Sequence, residues 1–220
     1  MVWIHGFPLS SAIFEPQLAI SGYRHLVPDL PGFGASAPTD LTLTMDDYAD
    51  GVVELMTGLG ISSATLAGVS MGGYVVFALL RRHPELVSSV ILIDTRETPD
   101  SAEARAGRAS MAEEVKRRGT GVVIDQMFPK MLTEATVAAA DWRAETVRRA
   151  MRSSSVEGVV AALAAMATRP DSSATIRDAD VPVLAIAGDS DSITPPADGE
   201  RMAALARDGA HAIIAGAAHL

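Results

Sequence analysis

A glycine-rich segment places one serine where a nucleophile could stand. Ser70 lies within Gly68-Val69-Ser70-Met71-Gly72, after a predicted strand and before a predicted helix. In that context Gly-x-Ser-x-Gly is typical of a tight turn that lifts the serine hydroxyl above a sheet edge. The glycines are needed because a side chain at either position would collide with neighbouring backbone. The segment lacks the Gly-x-Gly-x-x-Gly spacing of a dinucleotide site, so we predict that Ser70 is a nucleophile.

A serine hydroxyl is a weak nucleophile, and it needs a base that an acid holds in place. The chain supplies both groups directly after predicted strands. Asp191 follows the apolar run 183–187, and His219 follows the run 211–215. These two residues are therefore the candidate acid and the candidate base.

Two other carboxyl groups compete with Asp191 for the role of the acid. Asp189 lies on the same predicted loop, and we interpret it as a turn residue that hydrogen-bonds its own backbone. Asp94 ends the preceding strand of the predicted sheet and stays open as a second possible acid. The nearby Arg96 could bind a substrate carboxylate, although a solvated or ion-paired arginine is the preferred interpretation.

The remaining histidines and several large side chains have structural interpretations. His5 is expected to orient the loop after the first strand. The other histidines are expected at the surface or at the ends of elements, namely His25, His83 and His211. Packing is also preferred over a substrate pocket for Met127, Met131, Trp142 and Met166. No group of His, Asp and Glu has the spacing of metal ligands, so we predict neither a metal nor a cofactor.

Short apolar runs alternate with longer helical patterns along the chain. Because the runs are almost continuously apolar, they fit strands that are buried on both faces of a parallel sheet. Alternation of such strands with helices predicts an α/β fold. The predicted strands are Val2–His5, His25–Pro28, Ala64–Val69, Ser89–Asp94, Val183–Ala187 and His211–Ala215.

Capping residues and prolines indicate where helices begin and end. The hydroxyl of Thr44 is predicted to cap a helix that runs to about Leu59. A second helix is predicted over Met71–His83, because Pro84 cannot continue the helical hydrogen bonding. A third helix is predicted to have Pro195 at its first position.

The stretch Pro99–Arg169 contains no convincing strand and is rich in Ala, Arg and Glu. Helices are predicted over Thr133–Met151 and from Ser154, which has capping-box spacing to Glu157. A helical insert of this length between two strands predicts a cap over one end of the sheet. The predicted division is a core of residues 1–98 and 171–220 and a helical cap of residues 99–170.

The composition excludes several classes of protein. Of the 220 residues, 48% are apolar and 20% are charged, so the chain is not disordered. The net charge of −9 argues against nucleic acid and anionic membranes as partners. The absence of cysteine excludes disulfides, thiolate metal sites and cysteine nucleophiles. Since neither a signal peptide nor a spanning apolar run is recognisable, we expect a cytoplasmic protein.

Five motifs occur in an order that is typical of a known family. They are His5-Gly6-Phe7-Pro8, the segment 29–36 (DLPGFGAS), Gly68-Val69-Ser70-Met71-Gly72-Gly73, the acid loop 188–196 and Gly216-Ala217-Ala218-His219. With them, the sequence resembles the α/β-hydrolase superfamily over essentially its whole length. Within that superfamily it is most similar to small capped esterases and lactonases of the 3-oxoadipate enol-lactonase type.

The resemblance implies a serine hydrolase that cleaves esters or lactones of small acyl substrates without a cofactor. The chain order Ser70, Asp191, His219 is the order of nucleophile, acid and base in that fold. The family pattern therefore favours Asp191 over Asp94 as the acid. His219 would take the proton of Ser70, and Asp191 would orient the imidazole.

The resemblance also implies an oxyanion hole and a number of strands. The backbone N–H groups of Phe7 and Met71 would bind the oxyanion. The family has eight strands and this sequence begins on the third, so we expect a mostly parallel sheet of about six. The lack of the second family strand is expected to leave His25–Pro28 as a bare edge. A homo-oligomer through this edge, or a loop that covers it, is the resulting hypothesis.

Other functions stay open on the sequence alone. The same triad serves cofactor-free perhydrolases and haloperoxidases, which use peroxide in place of water, and C–C bond hydrolases. Epoxide hydrolases and dehalogenases are disfavoured because they need an aspartate where Ser70 stands. A binding protein on a truncated hydrolase fold is the non-enzymatic alternative.

Overall fold

Five parallel strands form one sheet in the computed structural model, which describes residues 1–39 and 42–220. Each strand pairs in parallel with the next along the chain, so the spatial order is β1-β2-β3-β4-β5. The strands are β1 (Val2–Ile4), β2 (Ala64–Val69), β3 (Val87–Ile93), β4 (Val183–Gly188) and β5 (Gly209–Ile214). Because all five run in the same direction, their carboxyl ends lie at one edge of the sheet. The predicted α/β fold is confirmed.

The sixth predicted strand, His25–Pro28, is reduced to a single bridge between Val2 and Leu26. Leu26 N–H donates to Met1 O at 2.9 Å, and Trp3 N–H donates to Leu26 O at 2.9 Å. The next donor on that side of the segment would be the backbone nitrogen of Pro28, which carries no hydrogen. The pairing therefore cannot continue, and the expectation of about six strands is corrected to five strands and a bridge. The oligomer through this edge stays a prediction.

Helices complete the main core on one face of the sheet, and several of them lie in the sequence between β3 and β4. The helices are α1 (Met45–Gly58), α2 (Met71–Arg82), α3 (Ala102–Arg118), α4 (Gly121–Met131), α5 (Glu134–Ala139), α6 (Trp142–Arg152), α7 (Val156–Thr168), α8 (Ser173–Asp178) and α9 (Pro196–Leu205). Two segments, Ser11–Ala19 and Pro84–Leu86, are 3₁₀ helices. Among the described residues, no helix combines the length and apolar character needed to cross a membrane.

The predicted cap of the first helix is confirmed. Thr44 Oγ1 accepts a hydrogen bond from Asp47 N–H at 3.2 Å, and the Asp47 carboxylate accepts one from Thr44 N–H at 2.7 Å. This reciprocal pair satisfies donors that the first turn of a helix leaves free. The third helix differs from the prediction by one residue, since α9 begins at Pro196 and Pro195 is its cap.

Two details of the helical insert differ from the prediction. The helix predicted over Thr133–Met151 is split into α5 and α6, because Ala140 adopts a left-handed conformation with φ 47°. Asp141 then begins α6 by accepting a hydrogen bond from the N–H of Arg143 at 2.9 Å. The cap of α7 is Ser155 and not the predicted Ser154. The hydroxyl of Ser154 instead donates to Pro8 O at 3.1 Å. The division at residues 99 and 170 stays a prediction.

The two faces of the sheet pack against different partners. One face contributes Ile4, Leu66 and Leu92 to the main core, which α1 and α2 complete. On the other face, Trp3 and Phe14 pack together with their ring centroids 5.4 Å apart. Burial on both faces explains the continuously apolar character of β1 and of most of β2. In β3, β4 and β5 the residues of the second face are partly exposed, so the expectation of two buried faces is met only in part.

The large side chains of the insert mostly pack, as the sequence analysis preferred. Met131 is fully buried and Met166 is 3% exposed, each within a hydrophobic cluster. Met127 is partly buried against the same clusters. Trp142 is the exception, because 62% of its surface is exposed.

Two glycines form a close contact between the helical insert and the loop after the bridge at Leu26. A Cβ atom at Gly158, in the first turn of α7, would lie 2.6 Å from the Cα atom of Gly32. Ser155 Oγ and Ser155 N–H both donate to the carbonyl of Gly32, at 3.1 and 2.8 Å. The start of α7 is thus fixed to the core by backbone contact, which leaves no room for a side chain.

The substitution Gly158→Ala is expected to lower the free energy of unfolding by about 1 to 3 kcal/mol, because the new methyl group forces the two backbones apart. Gly107→Ala in α3 is the matched control, since a Cβ atom at Gly107 would meet open space. The control should be stabilised by up to about 1 kcal/mol through helix propensity. Urea unfolding measures both changes, and equal stability of the two variants would contradict the proposed contact.

Candidate active site

Ser70 stands at a sharp turn between β2 and α2 with φ 52° and ψ −113°. A serine in this region of backbone space is strained by about 1 to 3 kcal/mol, so the surroundings must hold it there. Its N–H donates to the carbonyl of Ile93 at 2.8 Å, and its own carbonyl accepts from Thr95 Oγ1 at 2.7 Å. The Ser70 hydroxyl has no hydrogen-bond partner among the described residues and is half-buried. It is thus available to a substrate.

The glycines around Ser70 allow backbones to touch. A Cβ atom at Gly72 would overlap the carbonyl of Ile4 at the end of β1, and one at Gly68 would lie 2.5 Å from the carbonyl of Gly72. Gly6 lies against the serine, since a Cβ atom built there would be 3.2 Å from Ser70 Cβ. The turn that carries Ser70 and the loop after β1 are therefore adjacent. The distances at Gly68 and Gly72 confirm the prediction that side chains there would collide with neighbouring backbone.

The structure brings the predicted acid and base together. Asp191 follows β4 and His219 follows β5, and both side chains are buried. His219 Nδ1 and Asp191 Oδ2 are 2.8 Å apart. Because Nδ1 donates its hydrogen to the carboxylate, Nε2 of the neutral ring carries a lone pair. That Nε2 atom is buried and has no hydrogen-bond partner, so its capacity to accept a proton is unused.

Thr194 is a site residue that the sequence analysis missed. Its hydroxyl donates to Asp191 Oδ2 at 2.6 Å, and its N–H donates to Oδ1 at 3.1 Å. Ile193 N–H donates to Oδ1 as well, at 2.7 Å. The signal was present in the sequence as an aspartate followed three residues later by threonine, a spacing at which local hydrogen bonds form.

These hydrogen bonds decide the charge of Asp191. Burial by itself would raise the pKa of Asp191, but the hydrogen bonds from His219 and Thr194 outweigh burial and hold the pKa well below its usual range. The carboxylate is therefore ionised wherever the protein is folded near neutral pH. An ionised partner fixes the imidazole and stabilises its protonated form.

Asp94, the second acid that the sequence left open, lies at the same place. It follows β3, is 6% exposed, and has φ 44°. Its carboxyl, that of Asp191 and a ring nitrogen of His219 all lie within 4.8 Å of one another. Burial and the charge of Asp191 raise the pKa of Asp94 to about 8, although the N–H of Gly188 donates to its Oδ1 at 2.9 Å. Asp94 is therefore a neutral carboxylic acid at pH 7.

Asp94, Asp191 and His219 also form the type of group that can bind a metal ion. Two features of the group argue against that role. The Nδ1 atom of His219 carries the hydrogen that Asp191 accepts, and a metal ligand needs a free lone pair. Both oxygens of Asp191 are already occupied by protein donors. The prediction of a metal-free site stays a prediction.

The two amides predicted for the oxyanion hole flank the turn. Phe7 follows Gly6, which touches Ser70, and Met71 is the first residue of α2. Neither N–H has a hydrogen-bond partner within residues 1–39 and 42–220. The first N–H groups of a helix are free to bind an anion, so the Met71 amide is suited to a negative oxygen.

His5 holds the loop of Phe7 in place, as the sequence analysis expected. Leu30 N–H donates to His5 Nε2 at 3.0 Å, so the ring hydrogen is on Nδ1, which donates to Gly6 O at 2.9 Å. Burial lowers the pKa of His5 to about 4. The neutral ring therefore links the loop after β1 to the segment that contains Leu30.

The other predicted surface groups have mixed outcomes. His25 is not a simple surface residue, because its ring accepts from Trp3 Nε1 at 3.0 Å and donates to Ile20 O at 2.9 Å. Arg96 forms an ion pair with Asp198 at 3.3 Å, which fits the ion-paired interpretation. His83 caps α2 and contacts the Asp50 carboxylate at 3.0 Å.

A largely apolar cavity of about 530 Å³ reaches this edge of the sheet. Its wall includes Trp3, Phe14, Ile93, Asp94, Trp142 and His219. Ser70 is not part of the wall. For that reason its shape carries no information about the acyl group.

A family model described as the alpha/beta hydrolase fold matches residues 1–220. The chain therefore belongs to the α/β-hydrolase family, and the resemblance seen in the sequence is confirmed. By fold and relatives it is a hydrolase enzyme.

Two curated relatives and one solved structure are among the most similar proteins. 2-(Acetamidomethylene)succinate hydrolase of Mesorhizobium japonicum is 27% identical over 227 residues, covering 100% of this chain and 81% of that protein. 3-Oxoadipate enol-lactonase 2 of Acinetobacter baylyi is 28% identical over 202 residues, covering 91% of this chain and 74% of that protein. A thermophilic esterase from Thermogutta terrifontis, solved with malate bound, is 37% identical with a TM-score of 0.95, over 99% of this chain and 81% of that one. Proteins named as non-heme haloperoxidases also match.

The lowered pKa of His5 predicts a dependence of stability on pH. The unfolded ring takes up a proton near pH 6.5 and the folded ring only near pH 4, so the unfolded state binds more protons between these values. The contribution of His5 to stability is therefore complete above pH 6.5 and is lost as the pH falls toward 4. At pH 5 the loss is expected to be about 2 kcal/mol relative to pH 7.5.

The measurement is urea unfolding of the protein and of His5→Asn at pH 7.5 and pH 5. The difference in unfolding free energy between the two proteins should shrink at pH 5 by about that amount, because asparagine does not titrate. His83→Asn controls for the loss of one histidine elsewhere. A difference that is constant across this pH range would show that His5 is not buried in its neutral form.

Proposed function

We propose that this protein is a serine hydrolase that cleaves carboxylic esters or lactones of small acyl substrates through an acyl-enzyme on Ser70. One observation carries the proposal. His219 is anchored through Nδ1 to an ionised Asp191 at 2.8 Å, and its buried Nε2 has no partner. A histidine held in this way can accept a proton on Nε2 from a neighbouring hydroxyl.

In the first half of the reaction, Ser70 Oγ attacks the carbonyl carbon of the ester or lactone. His219 Nε2 takes the hydroxyl proton, and Asp191 stabilises the imidazolium. The tetrahedral intermediate then breaks the bond to the leaving oxygen, which receives the same proton from His219. Both Ser70 Oγ and His219 Nε2 lack partners, which suits a site whose catalytic hydrogen bond forms when substrate binds.

The oxyanion of the intermediate would be bound by the N–H groups of Phe7 and Met71. Loss of a single oxyanion-hole donor costs other serine hydrolases about 3 to 4 kcal/mol. His5 supports this role, because its two hydrogen bonds fix the carbonyl of Gly6, which belongs to the same peptide group as the Phe7 N–H. Water then attacks the acyl group on Ser70, with His219 again acting as base, and regenerates the enzyme.

The substrate class rests on the relatives as well as on the site. Three similar proteins are named for hydrolysis of an acetamidomethylene-succinate, an enol-lactone and esters. Acyl transfer to water is common to all three. The enol-lactonase and the esterase among these relatives support the choice of lactones and esters as the substrate class.

A cofactor-free perhydrolase is the second candidate, and the relatives named as haloperoxidases favour it. In that reaction hydrogen peroxide replaces water as the acceptor of the acyl group on Ser70. The products are a peracid and the free enzyme, and the peracid would oxidise bromide. The chemistry at Ser70 is the same in both cases until the second half-reaction.

The substitution Ser70→Ala is expected to abolish labelling by a fluorophosphonate and to lower kcat for p-nitrophenyl acetate by at least about 10³-fold, because the nucleophile is gone. Ser88→Ala, at an exposed serine of β3, is the matched control and should keep both activities. Intact-protein mass spectrometry detects the label. Labelling or hydrolysis that survives in Ser70→Ala would rule out the proposed nucleophile.

A substrate panel separates the two candidates. The panel contains p-nitrophenyl esters of increasing acyl length, a set of lactones, and bromide with hydrogen peroxide and acetate. Turnover of esters or lactones without bromination supports the hydrolase. Bromination at a rate similar to ester hydrolysis would favour the perhydrolase instead.

Thr194 is predicted to be a positioning residue for Asp191. Thr194→Val removes the hydroxyl that donates to Oδ2, a bond worth about 1 to 2 kcal/mol, and should lower kcat roughly tenfold. Thr194→Ser retains the hydroxyl and should restore most of the rate. Steady-state kinetics with p-nitrophenyl acetate measures both variants, and equal rates in Thr194→Val and the parent protein would contradict the role.

A further inference from the structure

The site contains one more carboxyl group than the proposed reaction uses. Asp94 is buried, follows β3, and lies with Asp191 and His219 in a group whose polar atoms are all within 4.8 Å of one another. A serine, a histidine and one acid complete the proposed mechanism. The position of Asp94 therefore needs its own explanation.

Asp94 and Asp191 differ in how fully their oxygens are bonded. Asp191 accepts two backbone N–H groups, the hydroxyl of Thr194 and the ring N–H of His219. Asp94 accepts the N–H of Gly188 on Oδ1, and its carboxyl also forms a side-chain hydrogen bond with Asp191 that helps to raise the pKa of Asp94. Both oxygens of Asp191 are thus occupied by protein donors, whereas Asp94 has one backbone donor and its contact with Asp191.

No cation in the described part of the chain is placed to neutralise Asp94. Arg96, two residues further along, is bound to Asp198 and to the carbonyl of Ile193. Arg143 of α6 lines the same cavity as Asp94 but is paired with Asp141 at 2.6 Å. The titratable groups that face Asp94 are therefore Asp191 on the loop after β4 and His219 on the segment after β5.

We propose that Asp94 is a second positioning carboxyl for His219, which acts beside Asp191 and takes over the ring when the carboxylate of Asp191 is removed. This inference rests on the proposed function for its kinetic consequences and on the geometry alone for its effect on the ring. Two carboxyl groups this close together do not ionise equally, since the second charge is repelled by the first. Asp191 is ionised, so Asp94 keeps its proton near neutral pH.

The charge of Asp94 depends on that of Asp191. Burial and the neighbouring negative charge together raise the pKa of Asp94 to about 8. When Asp94 ionises above that pH, it adds a second negative charge next to the imidazole. When Asp191 is replaced by asparagine, the repulsion disappears and the pKa of Asp94 falls, so that Asp94 becomes ionised at a lower pH and can hold the ring.

The first test follows the ring of His219 by nitrogen-15 NMR between pH 5 and pH 10. In the unmodified protein, the ring signals should show an inflection near pH 8 that reports the ionisation of Asp94. Asp94→Asn should remove this inflection, and Asp191→Asn should move it to lower pH. His219→Gln identifies the signals, and Asp189→Asn, at an exposed acid of the same loop, should leave the inflection in place.

The second test is a double-substitution cycle with p-nitrophenyl acetate as substrate. Asp191→Asn is expected to lower kcat by orders of magnitude and to leave a residual rate. Addition of Asp94→Asn to that variant should lower the residual rate by at least about tenfold more. Asparagine keeps an oxygen for the N–H of Gly188, so the turn at Asp94 retains its hydrogen bond.

Two results would overturn the inference. One is the absence of an inflection near pH 8 in the unmodified protein, which requires no substitution and no catalytic activity. The other is equal residual rates in Asp191→Asn and the double variant. A protein that hydrolyses no ester but shows the inflection and its shift in Asp191→Asn would instead refute the proposed function and support the role of Asp94 at the ring.

Discussion

The contact between the first turn of α2 and the end of β1 fixes the position of Ser70. Gly72 lies so close to the carbonyl of Ile4 that a side chain there would overlap it, and Gly68 lies against Gly72 in the same way. In the turn between these two glycines, Ser70 has a positive φ of 52°. Its N–H donates to Ile93, the last residue of β3, and its carbonyl accepts from Thr95 just after that strand, so the turn depends on three neighbouring strands.

Parallel strands explain how distant residues reach the same place. Ser70, Asp94, Asp191 and His219 each follow a different strand, and the carboxyl ends of parallel strands share one edge of the sheet. Each group is then positioned by local hydrogen bonds of its own loop. The fold therefore brings the ends of the strands together. Hydrogen bonds within short loops, such as the one from Asp191 to Thr194, then fix the position of each side chain.

Electrostatics gives the two buried carboxyl groups opposite states. Four hydrogen bonds keep Asp191 ionised although it is buried, whereas Asp94 has one backbone donor and faces the charge of its neighbour. A single negative charge beside the imidazole is consistent with proton transfer at neutral pH. Membership of the α/β-hydrolase family agrees with this arrangement, and the relatives differ among themselves in the acyl compounds for which they are named. The family thus accounts for the shared fold, and the substrate is not common to its members.

Local signals in the sequence were sufficient for the elements and for the principal site residues. The glycines around Ser70, the cap at Thr44 and the apolar strands act within a few residues, because steric clashes and hydrogen bonds between near neighbours determine them. The predicted strands made both Asp191 and Asp94 candidate partners of His219, and the resemblance to the family favoured Asp191. It misplaced Ser154 as the cap of α7, because Ser154 instead donates to the distant Pro8.

Only the tertiary structure decided which residues meet across the fold. The segment at Leu26 forms a single bridge because Pro28 lacks the N–H that its partner strand would need. The closeness of Asp94 to Asp191 follows from the pairing of β3 with β4, whose strands lie about ninety positions apart in the sequence. Register, burial and the repulsion between those two carboxyl groups arise from packing between distant segments, and no short stretch of sequence contains that information.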